Sequence, residues 1–182
     1  PGHIAIAGDL VNISLPAEFA NAAGWLRGLG PSRNVTVIPG NHDAYVPMAW
    51  QSTIGLWSEF MTGSRLGDGS DEQPIMSDDG FPFVRIRDEI ALIGVSTARP
   101  MPANSAGGVV GERQLHELEL RLDDLGRKHL FRIILIHHPP FDSARHRRKR
   151  LYDSAEFRRV VARHGAELVL HGHTHQSGLM KL

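Results

Sequence analysis

Four times along this chain, a short apolar run is followed at once by a polar cluster rich in Asp, Asn and His. The clusters are Gly8-Asp9, Gly40-Asn41-His42-Asp43, His137-His138-Pro139-Pro140 and His171-Gly172-His173-Thr174-His175. Near-continuous apolar runs are typical of buried parallel strands, and open α/β sheets bind ligands at the carboxyl ends of such strands. We therefore expect four strand ends to bring these polar side chains to one place.

The rest of the chain alternates between strand and helix patterns, which predicts one α/β domain over residues 1–182. The expected strands are Ile4–Ala7, Val35–Ile38, Phe81–Arg87, Ile90–Val95, Phe131–Ile136 and Leu168–Leu170. The expected helices are Glu18–Leu29, Met48–Met61, Glu112–Leu125 and Asp153–His164. Asp88-Glu89 predicts the turn of an antiparallel hairpin, and Gly63–Asp79 has the polar composition of a loop.

Composition narrows the possible chemistry. The 182 residues include no cysteine, which excludes disulfides, thiolate ligands and a cysteine nucleophile and fits a reducing compartment. Twenty basic and twenty acidic residues cancel, so no overall charge attracts the chain to nucleic acid or membrane. No apolar run approaches the roughly 20 residues of a membrane span, and no signal peptide is visible. We therefore expect a soluble, cytoplasmic protein.

The first two clusters offer oxygen ligands and a proton donor. A carboxylate such as that of Asp9 can bridge two cations, because each of its oxygens can bind a different ion. Asn41 can offer a carbonyl oxygen to a metal, and His42 can donate an N–H to a phosphoryl or leaving oxygen. Asp43 is then expected to orient His42.

The last two clusters add imidazoles. His137 ends a strongly apolar strand, and Pro139-Pro140 then turns the chain out of the sheet. His173 and His175 can approach two neighbouring ions from one turn, whereas His171 is expected to support a ligand without binding an ion. For His138 we expect a packed core histidine. The candidate metal ligands are thus Asp9, Asn41, His137, His173 and His175.

These residues resemble the calcineurin-like metallophosphoesterases, and within that superfamily the cyclic nucleotide phosphodiesterase-like branch. The family pattern is D-x-H, G-D, G-N-H-[DE], H-x-P or H-H-P, and G-H-x-H, and the last four blocks occur here in order. The resemblance implies a four-layer α/β/β/α sandwich of two mixed sheets. It also implies that Asp9 bridges two metals, that Asn41, His137 and His173 complete one site, that His175 belongs to the other, and that His42 acts on substrate.

The D-x-H block is absent, because only eight residues precede Asp9 and none of them is Asp. We expect the chain to be a fragment that lacks an N-terminal strand, and the C-terminus also has the pattern of an interrupted strand. The family uses two divalent or trivalent ions, and oxygen and imidazole ligands suit Mn, Fe, Zn or Co. Without the missing ligands, we expect only one ion to be held tightly.

The function implied is hydrolysis of a phosphoester, foremost a small diester of the cyclic nucleotide or glycerophosphodiester type, by direct attack of a metal-bound hydroxide. One alternative is a nuclease, whose local support is the basic run Arg145–Arg150; a solvated loop is the preferred interpretation of that run. Another alternative is an inactive scaffold of the same fold. We expect a small-molecule partner rather than nucleic acid, and exposed sheet edges would allow a homodimer.

Overall fold

A computed structural model describes residues 2–64, 72–102, 104–141 and 148–181. It contains a pair of parallel strands, β1 (Ile4–Ile6) and β2 (Val35–Val37), and a four-stranded sheet in the order β5-β6-β7-β8. The strands of the larger sheet are β5 (Phe83–Arg87), β6 (Ile90–Gly94), β7 (Phe131–Leu135) and β8 (Leu168–Leu170). Two very short strands, β3 (Thr62–Gly63) and β4 (Gln73–Pro74), form an antiparallel pair.

The larger sheet is mixed. Strands β5 and β6 pair antiparallel, as the predicted hairpin requires, whereas β6, β7 and β8 are parallel to one another. The α-helices are α1 (Pro16–Leu29), α2 (Glu112–Arg127) and α3 (Ser154–His164). Within the described ranges, none of the helices has the length and apolar character that a membrane crossing requires.

Two apolar cores give the molecule its layers. Alternate residues of a strand point to opposite faces, so Leu92 and Leu135 join the core beneath α1, while Ile93 and Ile134 join the core beneath α2 and α3. Helix α1 buries Phe19, Ala22, Ala23 and Leu26, and α2 buries Leu115, Leu118, Leu122 and Leu125. The predicted α/β sandwich is thus confirmed, with the β1–β2 pair parallel and the larger sheet mixed.

A buried arginine ties the two sheets together. Arg85 of β5 is fully buried, and its Nη1 donates to the Val35 carbonyl at 2.7 Å and to the Thr36 hydroxyl at 2.9 Å. Burial lowers the pKa of Arg85 to about 10, and Glu72, 3.9 Å away, opposes that shift. The side chain stays charged at neutral pH. It donates hydrogen bonds to a backbone carbonyl and a hydroxyl of β2 from across the sandwich.

The segment Met48–Met61 differs from the predicted α-helix. It forms two 3₁₀ helices, Trp50–Ser52 and Ile54–Phe60, that are separated by Thr53 in a non-helical conformation. A Cβ on Gly55 would lie 2.5 Å from the Trp50 carbonyl oxygen, so the chain closes more tightly there than an α-helix would. The apolar spacing still places Trp57, Phe60 and Met61 in the core. The predicted loop Gly63–Asp79 begins at the last residue of β3 and contains β4, and its residues 65–71 lie outside the described ranges.

Candidate metal centre

The predicted ligands follow the carboxyl ends of two parallel strand pairs. Asp9 follows β1, Asn41 follows β2, His137 follows β7 and His173 follows β8. The loops after β1 and β2 touch closely, because a Cβ on Gly8 would lie 2.4 Å from the Gly40 nitrogen. A Cβ on Gly40 would in turn lie 2.3 Å from Asp9 Oδ1. Only glycine fits at these two positions, which lets the two loops present Asp9 and Asn41 side by side.

Four potential ligand atoms converge on one point. The Nε2 atom of His137 lies 3.1 Å from Asn41 Oδ1, 3.2 Å from His173 Nδ1 and 3.3 Å from Asp9 Oδ2. The side chains of Asn41 and His137 are almost fully buried, and that of Asp9 is about one-fifth exposed. The structure therefore brings together four of the five predicted ligands, and we call this set the inner cluster.

The protonation pattern of the inner cluster suits a cation. His137 Nδ1 donates to the Ala7 carbonyl, so in the neutral form of the ring it is Nε2 that carries the lone pair. That lone pair faces a carboxylate oxygen and an amide oxygen, neither of which carries a proton. Acceptor atoms packed this closely repel one another unless a proton or a metal ion lies between them. The donor set, two imidazoles with one carboxylate and one amide oxygen, fits a first-row divalent metal.

The pKa values of Asp9 and His173 favour the protonation states that bind metal. Burial raises the pKa of Asp9, but a hydrogen bond and positive charge from His137 when its ring is protonated, together with the backbone N–H of His42, lower it by more, so the carboxyl is ionised at neutral pH. Burial, together with the neighbouring His137, lowers the pKa of His173 to about 4. A neutral imidazole and an ionised carboxylate are the forms that bind metal.

Asp43 does not orient His42, contrary to the prediction. Its buried carboxylate accepts three backbone N–H groups, from Asp9 at 2.8 Å, Val11 at 3.0 Å and Gly40 at 2.7 Å. Burial raises the pKa of Asp43 to about 6, even though these hydrogen bonds lower it. Asp43 therefore joins the loops that carry Asp9 and Asn41, and it acts on the position of those ligands rather than on a reacting proton.

Other groups orient His42. Its Nδ1 lies 2.6 Å from the Asn12 carbonyl oxygen, so Nδ1 carries a proton and donates it there. Its Nε2 lies 3.0 Å from the hydroxyl of Tyr45, which is 37% exposed. The His42 backbone N–H also donates to Asp9 Oδ1 at 3.0 Å, which places this residue beside the predicted bridging carboxylate. Sequence reasoning missed Tyr45, although it stands three residues after His42.

His138 lies beside the inner cluster but has other partners. Three histidines, His137, His138 and His173, each have a ring nitrogen within 4.8 Å of those of the other two. By proximity alone these three could hold a metal. Both ring nitrogens of His138 are occupied, however, by the Thr97 hydroxyl at 2.7 Å and the Ala106 carbonyl at 3.1 Å. Burial lowers the pKa of His138 to about 3, with His137 and His173 adding to the shift. The prediction of a packed core histidine is confirmed.

The fifth predicted ligand, His175, lies outside the inner cluster. It lines an open cleft of about 550 Å³ that Asp9 and His42 also line. The remaining lining residues are Leu10, Val11, Asn12, Glu18, Asn21, Ala22 and Trp25. His171 is half-buried, and its ring meets that of Phe141 edge to face, with 5.8 Å between the centroids. Among the described residues that were predicted as ligands, only Asp9 thus belongs to both the inner cluster and this cleft.

The backbone is strained at three of these residues. Asp9, His173 and His175 have φ values of 59°, 68° and 54°, in the left-handed region that few residues other than glycine adopt, Asn, Asp and His more often than the rest. Such conformations cost about 1–3 kcal/mol each and concentrate at functional sites. The loops after β1 and β8 therefore carry backbone strain at the residues whose side chains are predicted ligands.

The predicted basic run is only partly described. Residues 145–147 lie outside the described ranges, whereas residues 148–150 are exposed. The carbonyls of Arg148 and Arg150 accept N–H groups from Ala106 and Gly108, and the Arg150 guanidinium lies 5.5 Å from the centre of the Tyr152 ring. None of the described residues of the run lines the cleft.

A layered α/β fold whose strand ends bring Asp, Asn and His side chains together is suited to a metal-dependent hydrolase. The sequence model of the calcineurin-like phosphoesterases matches residues 1–177 of this chain. The chain therefore belongs to the calcineurin-like phosphoesterase family, whose members hydrolyse phosphoesters with the help of metal ions. A comparison with curated proteins gave no match.

Proposed function

We propose that this chain hydrolyses small phosphodiesters, as in the cyclic nucleotide phosphodiesterase-like branch of its family. The observation that carries the proposal is the inner cluster, in which three potential ligand atoms lie 3.1–3.3 Å from His137 Nε2. Asp9, Asn41, His137 and His173 would hold one ion, and Asp9 with His175 would contact a second. The bound ions would polarise the phosphoryl oxygens and lower the pKa of a coordinated water.

The lining of the cleft favours a diester over a monoester. No lysine or arginine is among the described residues that line it, and two carboxylates, Asp9 and Glu18, are. A phosphodiester carries one negative charge, whereas a monoester carries nearly two at neutral pH and gains more from a cationic side chain. The volume of about 550 Å³ lies in the range of small-molecule sites. A nucleic acid would need a basic track, which the described lining residues of this cleft do not supply.

The chain's own residues have distinct tasks in such a reaction. Water adds to phosphorus, the bond to one ester oxygen breaks, and the proton of the water ends on the departing alkoxide. His42, beside Asp9 and lining the cleft, would in its doubly protonated form donate from Nε2 to that leaving oxygen while Nδ1 still donates to the Asn12 carbonyl. The Asn12 carbonyl fixes the orientation of the His42 ring, and Asp43 fixes the loops on either side.

The test combines metal content with a pair of substrates. The full chain is dialysed, its metals are counted by mass spectrometry, and it is reloaded with Mn, Fe, Zn or Co in turn. We expect at least one ion per chain and faster hydrolysis of bis(4-nitrophenyl) phosphate than of 4-nitrophenyl phosphate. His42→Ala should keep its metal and lose about 10²–10⁴-fold in rate. His116→Ala, an exposed histidine on α2, is the matched control and should behave as wild type.

Two results would contradict the proposal. A chain that binds no metal under any loading would be the inactive scaffold of this fold. A loaded chain that cleaves single-stranded DNA or RNA but neither small ester would be the nuclease. The cytoplasmic location and the pairing of two copies stay predictions.

A further inference from the structure

We propose that Trp25, with Asn21 and Asn12, forms a subsite for a planar aromatic arm of the phosphoester, such as a nucleobase. This inference rests on the proposed function and deepens it, because it chooses an aromatic arm over a glycerol arm. The three residues line the same cleft as Asp9, His42 and His175. A ring held there is therefore part of a molecule whose phosphate can reach the candidate metal centre.

Helix α1 holds the tryptophan in the cleft rather than in the core. The helix buries Phe19, Ala22, Ala23 and Leu26, whereas Trp25 is 54% exposed. Asn21 precedes Trp25 by four residues, and side chains at this spacing lie on the same helix face. Long helical side chains lean towards the N-terminus, which for Trp25 is the direction of the turn that carries Asn21, and both residues line the cleft.

Asn21 supplies polar recognition beside the ring. It is exposed, and its amide makes no hydrogen bond with the part of the chain that the structure describes. An amide offers both a donor and an acceptor, which matches the polar edge of a heterocyclic base. An indole face with a free amide alongside is the combination that proteins use to stack and then orient a base.

Glu18 holds in place the loop that carries Asn12. The Glu18 carboxylate accepts the backbone N–H groups of Asn12 at 3.1 Å, Ile13 at 3.2 Å and Leu15 at 2.9 Å. These bonds lower the pKa of Glu18, that of Leu15 being the largest contribution. The loop is therefore ordered before a ligand arrives, which reduces the entropy that binding must overcome.

The same loop connects the subsite to the reacting group. Asn12 lines the cleft, and its backbone carbonyl accepts a hydrogen bond from Nδ1 of His42 at 2.6 Å. A ligand that contacts Asn12 thus contacts the residue that orients His42. The subsite and the proposed leaving-group donor share one loop.

Charge restricts the arm to an uncharged group. Glu18 and Asp9 are the ionised groups among the lining residues, and neither lysine nor arginine accompanies them in the described part of the cleft. A second phosphate or a carboxylate on the arm would be repelled there. A nucleobase, with its uncharged ring and N–H donors, meets both the indole and the carboxylate without that penalty.

The test measures binding apart from catalysis. Equilibrium dialysis with the full chain, without added metal, compares radiolabelled adenosine 5′-monophosphate with ribose 5-phosphate. We expect the nucleotide to bind at least about 10-fold more tightly, since stacking of one base on an aromatic side chain gives roughly that gain. Trp25→Ala should remove the difference, and Trp25→Phe should retain most of it. Trp50→Phe, which changes a tryptophan packed on the core, is the control and should bind as wild type.

A kinetic arm links the subsite to the reaction. In the metal-loaded chain, Trp25→Ala should raise the KM for adenosine 2′,3′-cyclic phosphate about 10-fold and leave that for glycerol 1,2-cyclic phosphate unchanged. If no ester is hydrolysed, the proposed function fails, and the dialysis still judges the subsite. Equal binding of nucleotide and sugar phosphate would overturn the inference. So would protection of Trp25 from acrylamide quenching, because another segment or a second copy would then cover the indole.

Discussion

The inner cluster and the open cleft share Asp9, yet they are built by opposite means. In the inner cluster, Asn41 and His137 are almost fully buried, and strand ends and backbone contacts fix their positions. In the cleft, His175 and Trp25 are exposed, and loops and one helix face carry them. The contrast indicates that the inner cluster is already arranged for one ion before any ion binds. The arrangement of the cleft, in comparison, depends on the ligand that enters it.

The strongest test of this contrast is His137→Ala. His137 Nε2 is the atom on which the other three inner ligand atoms converge, so its loss removes the centre of the site and leaves Asp9 without its neighbouring imidazole. We expect loss of bound metal and of nearly all activity, beyond the 10–100-fold effect that is usual for residues supporting a metal ligand. Mass spectrometry and hydrolysis of bis(4-nitrophenyl) phosphate measure both. Full metal content in this variant would show that the inner cluster is not the metal site.

His175→Ala tests the outer half by itself. Because His175 lines the cleft and takes no part in the inner cluster, the variant should lose one ion per chain at most and keep the inner one. The rate should fall by about 100-fold or more, since a second cation contributes several kcal/mol to the transition state of such reactions. His171→Ala, in the same loop, is the matched control. Equal effects of the two substitutions would mean that the loop, not the His175 imidazole, matters.

Asp43→Asn tests whether the two regions are held together through the backbone. The amide keeps the size of the side chain but faces three N–H groups with one acceptor oxygen instead of two. We expect metal affinity to fall about 10–100-fold, as for other residues that position ligands. A competition titration with a chelator measures the affinity. The exposed Asp79→Asn serves as control, and an unchanged affinity in Asp43→Asn would assign Asp43 to folding alone.

What the sequence could predict follows the same division. Residues at the ends of apolar strands, such as Asn41 and His137, were predictable because strand polarity alone brings them together. The hydrogen-bond partners of Asp43 were not predictable. Its carboxylate accepts backbone N–H groups, and such bonds leave no signal in the residue types of the sequence. Trp25 was also missed, because an exposed aromatic on a helix becomes informative only when a cleft is seen beside it. The α-helix predicted over Met48–Met61 was wrong, since its apolar spacing fits both helix types and Gly55 permits the tighter one.

The smallest effect is expected for Tyr45→Phe, which removes the contact to His42 Nε2 without touching an inner ligand. One neutral hydrogen bond contributes about 0.5–1.5 kcal/mol, so the rate should fall about 2–10-fold while metal content stays the same. The loss should be larger for a diester with an alkyl leaving group than for a nitrophenyl ester, because the poorer leaving group depends more on a hydrogen bond from His42. The same loss for both esters would mean that Tyr45 shapes the cleft rather than the His42 ring. Loss of metal in this variant would remove the division between the two regions.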